Sequence, residues 1–130
     1  EQGLVRLEAR TAAVRGKSLR YEADQDCLGY WRSREAYPEW AIELEDGGEL
    51  QLGVTYACDP SEAGSTVEVR VDGVPVASFE VRSTGSWRSY REELLGSIHL
   101  QPGSHRVTVH GDKEVGPLMK LRRIELRPAR

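Results

Sequence analysis

Apolar residues recur at every second position along most of this chain and almost nowhere at the helical period, which makes pleated sheet its building material. Leu50, Leu52, Val54, Tyr56 and Cys58 fall on one face of a run, with Gln51, Gly53, Thr55 and Ala57 on the other. Val67, Val69 and Val71 alternate with Glu68 and Arg70 until Asp72-Gly73. That dipeptide between two β-branched runs is the strongest short-range hairpin signal, because both residues tolerate the positive φ of a tight turn. The return strand spans 74–81. Pro75 has no N–H for a ladder and assigns that strand to a sheet edge.

The same rhythm continues elsewhere. Val5, Leu7 and Ala9 alternate with Arg6 and Glu8, and Trp40, Ile42 and Leu44 alternate with Ala41 and Glu43 before Asp46-Gly47-Gly48 turns the chain. Ile98 and Leu100 lead into the turn Gln101-Pro102-Gly103-Ser104, after which Val107 and Val109 alternate with Arg106 and Thr108. The last strand, 118–126, slips phase between Leu121 and Ile124, and a bulge absorbs the odd step. Only 92–95 has a helical flavour, and it is too short to form a helix. Short strands with turn signals about every 8–12 residues predict an all-β fold, an antiparallel sandwich or barrel. The length, 130 residues, predicts one domain over 1–130.

Composition narrows function by exclusion. A net charge of −3 argues against nucleic acid as a partner. No apolar run approaches the roughly 20 residues of a membrane helix, so no membrane partner is expected. No N-terminal stretch joins a basic end to an apolar core, so no signal peptide is read, and excision from a longer precursor is the expectation. Cys27 and Cys58 are too few for a disulfide framework. Cys58 ends an alternating run and reads as a buried small hydrophobe, with a single Cys27–Cys58 bridge as the alternative. Neither has a His at metal-ligand spacing, so no metal is assigned. His99, His105 and His110 lie on or beside strands, and His99 points outward from Ile98 and Leu100. No nucleophile, His and acid fall into a known local signature, and no glycine-rich phosphate loop joins a strand to a helix. The reading is therefore non-catalytic and without a cofactor.

The order of these signals resembles a known family. Gly29-Tyr30-Trp31, Glu39-Trp40-Ala41-Ile42, Gly47-Gly48-Glu49-Leu50 and Thr55-Tyr56-Ala57 follow one another like the "GY…DW…G.Y…YA" series of carbohydrate-binding modules of families 6 and 35. Thr84-Gly85-Ser86-Trp87-Arg88-Ser89-Tyr90 is similar to their "TGGWxxW" segment, Leu100-Gln101-Pro102-Gly103-Ser104-His105 to their "L.AG.H" turn, and the run from Leu121 to Leu126 to their final "LDYIEL". A closer likeness is to a subgroup at the C-terminal ends of bacterial sulfatases and α-L-fucosidases. Its "YE…GYW", "YAC…AGS" and "LM.LR.I.L.P" patterns resemble Tyr21-Glu22, Gly29-Tyr30-Trp31, Tyr56-Ala57-Cys58, Ala63-Gly64-Ser65 and the run from Leu118 to Pro128.

The resemblance implies a β-sandwich jelly roll that captures saccharide with loop aromatics. Trp87, after a small-residue loop, is the stacking platform that the family pattern implies, although an unaided Trp is more often buried than exposed. Tyr30 is its implied partner. Tyr30 and Trp31 are neighbours, so one faces the core and one the site, and Tyr30 is favoured for the site. Trp40 and Tyr56 share phase with apolar neighbours and read as core, while Tyr37 and Tyr90 stay undecided. Glu22, Asp24, Asp26, Arg32, Arg34, Arg88, Lys113 and Glu114 lie near these loops as hydrogen-bonding candidates. Glu22 and Arg32 are the two taken into the site, and arginine suits sulfated or carboxylated sugars. The family's structural calcium is not expected. Glu8 matches its first acid, but Arg10 and Arg122 stand where acids are needed, and an Arg–Glu pair between the terminal strands takes the ion's place.

The functional expectation is a non-catalytic accessory module of a larger extracellular or periplasmic bacterial enzyme, a sulfatase or glycosidase. Its partners are an oligo- or polysaccharide, neutral or anionic, and the parent catalytic domain. The alternative is a domain that packs against its parent and binds no sugar.

Overall fold

Among the described residues the chain forms eleven strands: β1 (Val5–Glu8), β2 (Ala13–Arg15), β3 (Arg20–Glu22), β4 (Cys27–Gly29), β5 (Tyr37–Leu44), β6 (Gly48–Ala57), β7 (Thr66–Val71), β8 (Val74–Glu80), β9 (Arg91–Leu100), β10 (Gly103–Gly111) and β11 (Lys120–Pro128). The computed structural model describes residues 4–113 and 115–128. Two antiparallel sheets form. One runs in the order β3-β4-β11-β6-β9 with β1 also on β11, and the other in the order β2-β5-β10-β7-β8.

The faces read from the alternation are the faces observed. Leu50, Leu52, Val54 and Tyr56 on β6 pack with Val67, Val69, Val107 and Val109 of the opposing sheet in one continuous core. Each such side chain, fully buried, contributes roughly 1.5–3 kcal/mol. Trp40 is buried from β5, and its indole N–H donates to the Glu8 carbonyl at 2.9 Å, so its one polar group is satisfied inside. Asp72 and Gly73 form the expected two-residue turn with φ of 54° and 81°, and β8 is an edge strand as Pro75 required. The phase slip in β11 is a bulge between Leu121 and Arg123, which leaves Arg122 outside the regular ladder. Cys27 and Cys58 are both buried and unbridged. Burial pushes the Cys58 thiol up to about 11.

Other details add to the sequence reading or differ from it. The stretch 92–95 is extended, because β9 begins at Arg91, and its Leu94 is exposed. The last strand starts at Lys120, with Leu118 and Met119 buried before it. Short β2, β3 and β4 have too few residues for alternation to announce them. The 101–102 turn carries the chain from one sheet to the other. The pairing of the terminal strands does use an Arg–Glu pair, but its arginine is Arg123, whose Nε lies 3.4 Å from Glu8 Oε1. Arg6 adds a second pair to Glu125 at 3.1 Å.

Candidate functional site

At one end of the sandwich the β3–β4 hairpin, the segment after β4, the loop before β9 and the start of β11 enclose a cleft of about 250 Å³. Glu22, Tyr30, Arg32 and Trp87 all line it, although up to 65 residues separate them in sequence (87 − 22). Gln25, Pro117, Met119 and Lys120 complete the lining.

Tyr30 follows the last residue of β4 with φ of 58°, a left-handed conformation uncommon outside glycine. Its carbonyl accepts from the Ser18 hydroxyl at 3.0 Å, which holds the turn. This backbone sends Tyr30 out, 41% exposed, and Trp31 in, 1% exposed. The Trp31 indole donates to the Ala36 carbonyl at 2.9 Å. The Arg20 guanidinium lies 4.0 Å from the Tyr30 ring centroid and that of Arg32 at 5.8 Å, so the ring sits among cations.

Trp87 is carried by a loop fixed through Thr84, which is buried. The Cys58 amide donates to Thr84 Oγ1 at 3.0 Å, and the Thr84 amide donates to the Cys58 carbonyl at 2.9 Å. Gly85, at φ 107°, then turns the chain, a conformation that needs glycine. Trp87 is half-buried and packs partly on the core. Lys120 Nζ lies 6.0 Å from its ring centroid.

The polar floor is built by the hairpin. The Glu22 carboxylate lies along Gly29, where a Cβ would push it aside, and it accepts from the Cys27 thiol at 3.7 Å. Burial pushes that thiol's pKa up. Gln25 Oε1 accepts from Lys120 Nζ at 2.9 Å and from the Tyr90 hydroxyl at 3.4 Å. Tyr90 is thus a support behind the cleft, and burial raises its pKa.

The remaining candidates lie elsewhere. Asp24 and Arg88 are exposed outside the cleft, and the Asp26 carboxylate accepts from the Tyr21 hydroxyl at 2.9 Å. Arg34 lines a separate groove with Tyr37 and His110, whose rings lie 4.6 Å apart. Lys113 pairs with Glu62 at 2.5 Å. Glu114 falls outside the described residues. Sequence reasoning missed Gln25 and Lys120, a lone amide between two aspartates and a lysine at a strand start, for which no local pattern exists. Among the described residues no three His, Cys, Asp or Glu gather where they could hold a metal ion.

No family model matches the chain, and no curated protein matches it by sequence. Its likeness is in three dimensions. A family 35 carbohydrate-binding module from Clostridium thermocellum superimposes with a TM-score of 0.77 at 18% identity, over 97% of this chain and 98% of that one. The carbohydrate-binding module of Cellvibrio mixtus lichenase 5A, in complex with cellotriose, gives 0.76 at 13% identity, over 97% and 98%. An exo-β-1,3-galactanase from Phanerochaete chrysosporium, with β-1,3-galactotriose, gives 0.76 at 16% identity over 95% of this chain, which spans only 29% of that enzyme. What is shared at such identities is the fold, an antiparallel β-sandwich jelly roll, as the sequence motifs implied.

Proposed function

We propose that this domain is a non-catalytic saccharide-binding module, that Trp87 and Tyr30 are the walls of its site, and that Glu22 and Arg32 orient the sugar. The observation that carries this reading is the convergence of two part-exposed aromatic rings and open hydrogen-bonding groups on one cleft. Aromatic faces pack on the C–H faces of a sugar ring, while charged and amide groups pair with its hydroxyls. At about 250 Å³ the cleft is smaller than the roughly 300–1,000 Å³ usual for small-molecule pockets, so it admits only a short part of a chain. Little surface is buried and hydroxyls must be desolvated, which predicts affinities of about 10–1,000 μM, or roughly 4–7 kcal/mol. Arg32 and Lys120 outnumber Glu22, and the Arg20 guanidinium lies 4.0 Å from the Tyr30 ring centroid, so uronic or sulfated sugars are the preferred class.

The structural neighbours include modules of larger enzymes, and the motif likeness points to a sulfatase or glycosidase as parent, acting outside the cytoplasm. Binding would then raise the substrate concentration around a tethered catalytic domain. A second reading, a packing domain without ligand, draws on the contact of Trp87 with the core. Calorimetry against neutral, uronic and sulfated oligosaccharides, with wild type beside Trp87→Ala, decides between them. Binding lost on substitution supports the saccharide reading. Binding that survives unchanged moves the site elsewhere, and no binding to any glycan favours the packing domain.

A further inference from the structure

The hairpin that supplies Glu22 and Gln25 is weakly built. β3 and β4 have three residues each, β3 is the outer edge of its sheet, and β4 meets β11 at a single register pair, Leu121 with Leu28. Two such short strands do not hold themselves in water. Something else must seat the 23–26 turn.

The bulge in β11 supplies it. A bulge takes one residue out of the ladder and re-aims its side chain, and here that residue is Arg122. Arg122 Nη2 donates to the Gln25 carbonyl at 2.7 Å and Nε donates to the Asp26 carbonyl at 3.2 Å. The guanidinium carbon also lies 3.7 Å from the Tyr90 ring centroid, over the ring. Arg122 thereby ties the turn to β11 and fixes the ring whose hydroxyl holds Gln25. Lysine can only donate, so the Gln25 atom bonded to Lys120 is the amide oxygen, and both bonds to Gln25 consume that oxygen. Gln25 lines the cleft, and its amide NH2 has no acceptor among the described residues.

We propose that Arg122 is a positioning residue of the cleft: it lies outside the lining and seats the hairpin turn so that Glu22 and Gln25 meet the ligand. This rests on the saccharide reading of the cleft. A lysine cannot replace it, because a point charge cannot bond two carbonyls in a fixed fork and stack on a ring.

The test compares wild type, Arg122→Ala and Arg122→Lys. Digalacturonate and cellobiose are titrated by calorimetry, and amide hydrogen exchange is followed at residues 23–28. In Arg122→Ala the affinity for the bound probe falls about tenfold and exchange in the turn speeds up, while β6 and β10 keep their protection. Arg122→Lys recovers only part of either. A variant that loses thermal stability yet keeps wild-type affinity overturns the positioning role, as does turn exchange equal to wild type. If wild type binds neither probe, Arg122 is judged by exchange alone, and the saccharide reading is decided by the wider panel of neutral, uronic and sulfated oligosaccharides. In that case faster exchange in Arg122→Ala still supports the seating of the turn, and unchanged exchange overturns it.

Discussion

The core and the cleft treat tryptophan differently. Trp31 and Trp40 are 1% and 4% exposed, and each indole N–H reaches a backbone carbonyl at 2.9 Å. Trp87 is half-buried, and its indole N–H donates to no acceptor among the described residues. The carboxylates repeat the contrast. Glu39, in the wall of the sandwich, pairs with both Arg15 and Arg106, and the Arg15 hydrogen bond leads in holding its carboxyl below the usual range. Among the described residues, the Glu22 carboxylate in the cleft accepts only from a thiol, and Arg32 forms no ion pair. A folded chain satisfies its own buried polar groups. In the cleft, part-buried Glu22 and Trp87 and exposed Tyr30 and Arg32 line one concave surface, the arrangement expected of a ligand site.

The largest effect that tests this contrast is on stability. Trp40→Ala removes a side chain packed on every side and should cost about 3–5 kcal/mol in urea unfolding. Trp87→Ala should cost less than about 2 kcal/mol, since one side of the ring already faces solvent, while abolishing glycan binding. Equal costs for the two substitutions would break the distinction between core and cleft.

A pH-dependent effect should come next, from a polar group that is fully matched on the surface. His105 Nδ1 lies 2.7 Å from Asp72 Oδ2, and Nε2 lies 2.7 Å from the Gln101 carbonyl. Carboxylate and carbonyl only accept, so this setting favours the imidazole form that carries protons on both ring nitrogens. The Gln101 carbonyl, then Asp72, with Glu43 nearby, raise the pKa of His105 above 6.5. A raised folded pKa stabilises fully below the unfolded value and is lost as pH climbs through the folded one. Asp72, held below 3.8 first by His105, works in the opposite direction, and its contribution is lost as pH falls through its lowered value. The melting temperature should therefore decline from just above pH 6.5, and His105→Gln should remove that decline. Superimposable pH profiles for the two proteins would sink the assignment.

Much of this fold was legible because its information is local. Alternation gave the faces of β6, β7 and β10, Asp72-Gly73 gave a turn, and the step between Leu121 and Ile124 gave a bulge. The lining residues singled out in sequence stood in a recognisable motif, as Glu22, Tyr30 and Trp87 do, or directly beside one, as Arg32 does. Gln25 and Lys120 enter through contacts across 95 positions of sequence, which no local pattern encodes. Arg122 shows the limit most clearly. Sequence marked it as a cation unsuited to calcium and left the clamp on Glu8 to an unspecified arginine. The bulge hands that clamp to Arg123 and turns Arg122 toward the hairpin.

The smallest expected effect, none at all, is that of calcium. The ion seeks six to eight oxygens, with carboxylates prominent among them. Glu8, the acid the motif likeness would offer it, already has the Arg123 guanidinium at 3.4 Å. Arg10 is exposed nearby in sequence, and Arg122 occupies the third position as a cation bound to the 23–26 turn. An ion would have to displace one guanidinium and approach others, against their repulsion and for too few ligands. Thermal melts in EDTA and in excess calcium should coincide. An ion specific to the folded state would stabilise it by about 2.7 kcal/mol at a hundredfold excess over its dissociation constant, so a rise of several degrees is what binding would produce. Such a rise in wild type that disappears in Glu8→Gln would show that the carboxylate is open after all, and that the matched exterior and the unmatched cleft are less distinct than their contacts imply.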